Sequence, residues 1–192
     1  MVTMTIDATP IDGVHVVRGH WIHDERGAFR QHYSAQELAA VTGGATFAQG
    51  NHSRSHPGVL RGFHLEPWDK FLYVPRGTAL VVVADTRPES PTFARTFQIL
   101  LGDEPGEHAR VLIRRGLANA FYALTEVDYL NDVSADFREE GREGIAWDDP
   151  DLAVEWPSRS PVLSAADSSW PTLRERFPDA AFPLAPVRPS AD

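Results

Sequence analysis

No cysteine occurs in the chain, which excludes disulfides, thiol catalysis and zinc–thiolate sites. Long apolar runs are missing too. The longest, Ala79–Ala84, has six residues, far short of the roughly 20 that a membrane-spanning helix needs. The opening residues, MVTMTIDATP, have neither a basic nor an apolar stretch, so a secretory signal is not expected. Basic residues are in deficit, 18 against 27 acidic ones, for a formal net charge of −9. The footprint of a nucleic-acid-binding surface is therefore absent. An anionic ligand would need a local cationic pocket working against the field of the whole molecule. At 42% hydrophobic and 23% charged over 192 residues, the composition is that of ordinary globular material. The expectation is a cytoplasmic protein with one domain over residues 1–192, bound neither to membrane nor to nucleic acid.

Helical periodicity is scarce as well. Ser34–Val41 (SAQELAAV) is the one clear short helix, with Ser34 as N-cap and Glu37 three residues on. A second is expected around Thr172–Arg176. Elsewhere short runs rich in Val, Ile, Phe and Tyr alternate with turn residues, as in an all-β sandwich or barrel. These runs are Gly13–Arg18, Phe71–Val74, Thr78–Asp85, Thr96–Leu101, Ala109–Ile113, Ala120–Leu124 and Asp128–Val133. Pro75-Arg76-Gly77 separates two of them as tightly as a hairpin would. After about Trp147 the pattern decays into Pro-punctuated coil, and the stretch from about residue 180 reads as a disordered or draping tail.

Chemistry concentrates between Gly58 and Gly77. An extended strand there places Arg61, Phe63 and Leu65 on one face, with His64 and Glu66 on the other beside Gly62. Lys70 follows. Buried together, such charges need pairing or a function; at a surface they would form a salt-bridged strand end. Gly58, His64, Glu66, Lys70 and Gly77 follow the spacing of the first cupin motif, and Gly116 with Asn119 resembles the second. The four metal-ligand positions of that fold read His64, Glu66, Lys70 and Asn119. A permanent cation repels a divalent metal and an amide replaces imidazole poorly, so neither metal nor other cofactor is expected. What remains is an imidazole and an ammonium, suited to moving a proton and steadying an oxyanion.

Several blocks then resemble the dTDP-4-dehydrorhamnose 3,5-epimerase family, a metal-independent branch of the cupins. They are Asp24-Glu-Arg-Gly-Ala-Phe29, Gln49-Gly-Asn-His-Ser-Arg-Ser55, Gly58-Val-Leu-Arg-Gly-Phe-His64, Ser90-Pro-Thr-Phe93, Gly144-Ile-Ala-Trp-Asp-Asp-Pro-Asp-Leu152 and Pro161-Val-Leu-Ser-Ala-Ala-Asp167. They occur in family order over about residues 12–173. The resemblance implies an all-β cupin-like jelly-roll barrel with a short N-terminal helix and an irregular C-terminal cap. It also implies a homodimer that exchanges N-terminal strands, and a dTDP-linked 4-keto-6-deoxy sugar as substrate.

Carried over position by position, the resemblance makes His64 the general base and Asp167 the carboxylate that orients it. Lys70 becomes the cation at the enolate oxygen, although the loop from His64 to Lys70 is short for the family. Arg26 and Arg61 become anion-binding arginines, Gln49 and Asn51 a polar strand along the sugar-nucleotide site, and Phe29 a stacking partner for thymine. Four positions depart from the family. Its catalytic Tyr, the acid on the far face of the sugar, falls on Asn131, with Tyr129 two residues earlier as the alternative donor. Its barrel His falls on Asn119, its Glu near the thymine on Gln31, and the Lys before the final Asp on Ala166. A further acidic substrate contact would fall near Arg142. The expected function is epimerisation of a dTDP-4-keto-6-deoxyhexose at one or two carbons; the alternative is a sugar-nucleotide-binding or repurposed homologue.

Overall fold

The computed structural model describes residues 4–104, 106–136 and 143–183. Arg142 and the tail beyond residue 183 lie outside the described residues. Two antiparallel sheets face each other. One has six strands in the order β1 (Met4–Ala8), β2 (Val14–Gly19), β10 (Ala109–Ile113), β7 (Lys70–Arg76), β12 (Val127–Val133), β5 (Gln49–Ser55). The other has five, in the order β13 (Glu143–Gly144), β6 (Leu60–Leu65), β11 (Leu117–Ala123), β8 (Thr78–Asp85), β9 (Thr96–Gly102). A separate hairpin pairs β3 (Ile22–Asp24) with β4 (Gly27–Phe29). This is a cupin-like jelly roll whose sheets do not close into a continuous barrel.

Strand alternation sorts the side chains. On β7, Leu72 and Val74 point between the sheets into a core with Val81, Val83, Val111 and Phe121. Phe71, one residue out of phase, joins Val17, Leu38 and Leu112 on the opposite face, where α1 (Ala35–Thr42) covers the sheet. The Ser34 hydroxyl accepts the Glu37 amide at 3.4 Å, and Gly43 closes the helix in the left-handed region at φ 63°. Such caps contribute about 1 kcal/mol each. The outer face of the five-stranded sheet packs Phe63, Val82 and Ala120 against Ile145, Leu152 and Leu173 of the irregular C-terminal segment. Asp149 pins that segment by accepting the backbone amides of Asp151 (2.9 Å), Leu152 (3.0 Å) and Leu173 (2.6 Å). The last of these starts α2 (Leu173–Arg176), capped by Thr172 and Glu175. Ala180 and Phe182 pack on the same cluster, so the start of the expected tail is part of the cap.

Two expectations are corrected. Pro75-Arg76-Gly77 is not a hairpin, because β7 and β8 lie in different sheets. The chain turns a corner there through Gly77, whose φ of 77° suits glycine. A Cβ at that position would also collide with the Glu126 carbonyl. Arg61 does not share a face with Phe63. The β6–β11 register passes from Arg61 opposite Phe121 to His64 opposite Asn119, so β6 carries one extra residue and Arg61 turns to the His64 side.

Candidate active site

Gly62 is the source of that extra residue. Its φ is 117°, and a Cβ would lie 2.5 Å from the Asn119 carbonyl. The irregularity brings Arg61 and His64 to one cavity of about 200 Å³. Asn51, Asn119, Tyr129 and Asn131 line it too, together with His52, Ser53, Glu66 and Phe121. Arg61 is held by donating from Nε to the Ser55 hydroxyl at 3.0 Å.

His64 Nε2 and Asp167 Oδ1 are 2.8 Å apart. Asp167 sits at the end of a turn that the Ser164 hydroxyl shapes by accepting the Asp167 amide (3.0 Å) and donating to Oδ2 (2.9 Å). The Trp170 indole donates to Oδ1 at 3.3 Å. Burial pushes the Asp167 carboxyl up, but the bonds from His64, Ser164 and Trp170 outweigh it and hold it below the usual range. The carboxylate is therefore ionised and fixes the imidazole, leaving the other ring nitrogen to exchange a proton.

Behind His64 lies Lys70, 1% exposed. Its ammonium donates to the His64 carbonyl at 3.1 Å and to Asn119 Oδ1 at 2.6 Å, and pairs with Glu66 at 2.9 Å. Asn119 Nδ2 continues the chain to the Tyr129 hydroxyl at 3.4 Å. Tyr129 stacks on Phe121 with ring centroids 4.1 Å apart. Burial and then the Glu66 charge push its phenol well above the usual range, so Tyr129 holds its proton. Asn131 faces the same cavity, with a buried Oδ1 that has no hydrogen-bond partner among the described residues. Asn51 donates to the Asn131 carbonyl at 3.3 Å and accepts from Gln49 at 2.6 Å.

The four positions that ligate metal in other cupins thus stand together but do not fit a divalent cation. An ammonium occupies the Lys70 position and the Asn119 oxygen is turned onto it. Among the described residues no group of three His, Cys, Asp or Glu side chains could hold a metal. Nor is any helix there long and apolar enough to cross a membrane.

Four expected binding residues do not line this cavity within the chain, and of these Gln49 stands one step back, bonded to Asn51. Arg26 closes the tip of the β3–β4 hairpin on Asp24 (2.5 Å), with its side chain 83% exposed. Phe29 is 63% exposed. Gln31 uses its backbone carbonyl to accept from Arg110 on the outer face of the six-stranded sheet. Conversely, the sequence did not mark Phe121, Ser164 or Trp170. Ser164-x-x-Asp167 is a turn-forming spacing, the one local signal that could have found Ser164.

Fold and site together define a class: a cupin-like jelly roll with an imidazole–carboxylate pair and a buried ammonium at its site. The chain belongs to the dTDP-4-dehydrorhamnose 3,5-epimerase family, whose profile matches residues 8–175. It is 32% identical over 174 residues to the dTDP-4-dehydrorhamnose 3,5-epimerase of Methanothermobacter thermautotrophicus, covering 87% of this chain and 93% of that one. Among solved structures it is similar to a dTDP-6-deoxy-D-glucose-3,5-epimerase from Legionella pneumophila in complex with dTDP-4-keto-L-rhamnose. The TM-score is 0.84 and the identity 31%, over 90% of this chain and 94% of that chain. A 3'-monoepimerase from Streptomyces bikiniensis in complex with dTDP-quinovose gives a TM-score of 0.83 and 29% identity, over 91% of each chain.

Proposed function

We propose that this chain is an isomerase that inverts carbon next to the 4-keto group of a dTDP-linked 6-deoxyhexose. The observation that carries this reading is the His64–Asp167 pair, 2.8 Å apart, at the wall of a polar cavity. A ketone acidifies the neighbouring C–H. The His64 imidazole takes that proton, the electron pair moves into the ring as an enolate, and the resulting imidazolium is balanced by Asp167. A proton delivered to the same carbon from the other face completes inversion. No phenol stands at position 131, so Tyr129, which holds its proton, or water serves as that donor. The cavity, about 200 Å³, is smaller than the roughly 300–1,000 Å³ of whole-ligand pockets. It suits the hexose, with the nucleotide at the mouth beside Asn51 and Arg61.

The nucleotide end implicates a second copy of the chain. The β3–β4 hairpin carries Arg26 and Phe29 out into solvent, and Trp21 and Ile22 beside it are exposed. In a homodimer that exchanges N-terminal strands, this hairpin would supply the anion-binding arginine and the thymine-stacking ring to the partner's cavity.

The test is incubation with dTDP-4-keto-6-deoxyglucose in deuterated water, with NMR and mass spectrometry of the sugar. Deuterium at carbon 3, carbon 5 or both is expected. His64→Ala should abolish the exchange, since a general base contributes about 10²–10⁴ in rate, while dTDP binding changes by less than about tenfold. Binding without exchange in the unaltered protein would favour a non-epimerising sugar-nucleotide-binding protein.

A further inference from the structure

Lys70 is the only lysine in the chain, and it is buried at the centre of the site. An ammonium has three N–H donors, and all three are engaged, by the His64 carbonyl, Asn119 Oδ1 and Glu66. Glu66 alone of these acceptors is charged. From β6 and the loop after it, His64 (paired with Asp167) and Glu66 face Lys70. From β11 the facing group is Asn119, which links it to Tyr129 of β12. Its cross-strand neighbours Ile113 and Val133 are apolar. Asp69, the preceding residue, is turned away, pairing with Arg114 at 3.2 Å and accepting the Arg115 amide at 2.9 Å. Burial pushes the Lys70 ammonium down from the ordinary lysine range, and Glu66 pushes back through charge and hydrogen bond. Glu66 also lines the cavity, whereas Lys70 lies behind its wall.

We propose that Glu66 is a positioning residue for proton transfer in this site: it keeps the sole lysine cationic just behind the cavity wall, where its charge supports negative charge developing on a bound sugar oxygen. This rests on the epimerase reading above. The physical basis is that a buried ammonium with only neutral acceptors releases its proton. A paired one stays charged, and can exchange its carboxylate partner for an enolate oxygen as negative charge grows there. Without Glu66 the amine would be neutral at the pH where the reaction needs a cation.

A single lysine makes the test site-specific. Protein labelled with ¹³C at the lysine ε-carbon gives one resonance, whose pH titration reads Lys70 directly. Glu66→Gln should lower the titration midpoint by about two pH units relative to wild type, with Glu66→Asp in between. Deuterium exchange into the sugar, followed against pH, should lose its alkaline limb over the same interval. It should fall about tenfold per pH unit above the new midpoint and be rescued in part by Glu66→Asp. An unmoved lysine midpoint in Glu66→Gln would overturn the proposal. So would a moved midpoint with an unchanged alkaline limb, because Glu66 would then tune an amine the chemistry does not use. Absence of exchange in the wild type at every pH would instead remove the epimerase reading and the catalytic role of Glu66 with it, while the lysine titration still reports whether the ion pair sustains the charge.

Discussion

Asn131 is the residue at which this chain parts most consequentially from its family resemblance. It lines the cavity with His64, at the position where the family resemblance places the acid. An amide does not deliver a proton, whereas a phenol with a reference pKa of about 10 does. Asn131→Tyr should therefore raise exchange or extend it to a second carbon, measured by deuterium incorporation at carbons 3 and 5. Tyr129→Phe separates the two donors, since loss of at least tenfold is expected if its phenol supplies the proton. Unchanged turnover in both variants would leave water as the acid. Asp167→Asn should cost less than His64→Ala, because it removes charge and orientation but leaves the imidazole in place.

At the scale of elements, the cavity is lined almost wholly from strands β5, β6, β11 and β12, while loops brace the scaffold around it. The segment between β8 and β9 is folded around Asp85, 0% exposed. It accepts from Arg87 Nε (2.8 Å), Ser90 Oγ (2.6 Å) and Thr92 Oγ1 (2.7 Å). The Ser90-Pro-Thr-Phe93 block that resembles the family thus has a structural purpose, which also seats Phe93 on Phe182 at 5.1 Å. Asp85→Ala strands these donors and should destabilise by about 3 kcal/mol, read from the urea midpoint, with dTDP affinity of the folded protein unchanged. Strands built on short apolar runs were legible. Thr78–Asp85 and Ala109–Ile113 run as their patterns predict, and the Ser34-capped helix is displaced by one residue. β5 was legible as a strand only through the family resemblance, because its residues QGNHSRS carry no apolar run and meet polar partners on both faces of an edge strand. Asn51, His52 and Ser53 line the cavity, and His52 and Arg54 also reach Asp128.

For the whole molecule, two consequences follow. Hydrogen bonds from Arg54 and His52 hold the Asp128 carboxyl down at about 2, and Asp85 and Asp167 are also depressed. Folded-state values below unfolded ones mean that stability is present above the ordinary carboxylate pKa of about 4 and is lost as pH falls towards 2. Denaturation midpoints should accordingly drop steeply between pH 4 and 2. The second concerns association. Sedimentation should give twice the 21.3 kDa chain mass, and Phe29→Glu should weaken the dimer and lower dTDP affinity by at least tenfold. A monomeric wild type with full dTDP affinity would dissociate the hairpin from the nucleotide site.

The sequence by itself determined the fold class, through short runs rich in Val, Ile, Phe and Tyr set off by turn residues and through the family resemblance. The pairing of His64 with Asp167 was legible only through the family resemblance, because 103 residues separate the two in the chain. The sequence also set the mismatch with metal chemistry, since Lys70 stands at a ligand position whatever surrounds it. Only the tertiary structure decided which faces those residues share. One extra residue at Gly62 turned Arg61 into the cavity, and a corner at Gly77 sent β8 to the opposite sheet. The partners of Lys70 likewise come from β6, the following loop and β11, across separations of up to 49 residues. Local pattern sets which way a strand alternates. Pairing register and the packing of one sheet on another set what each side chain meets, and neither is encoded within a few residues of the side chain itself.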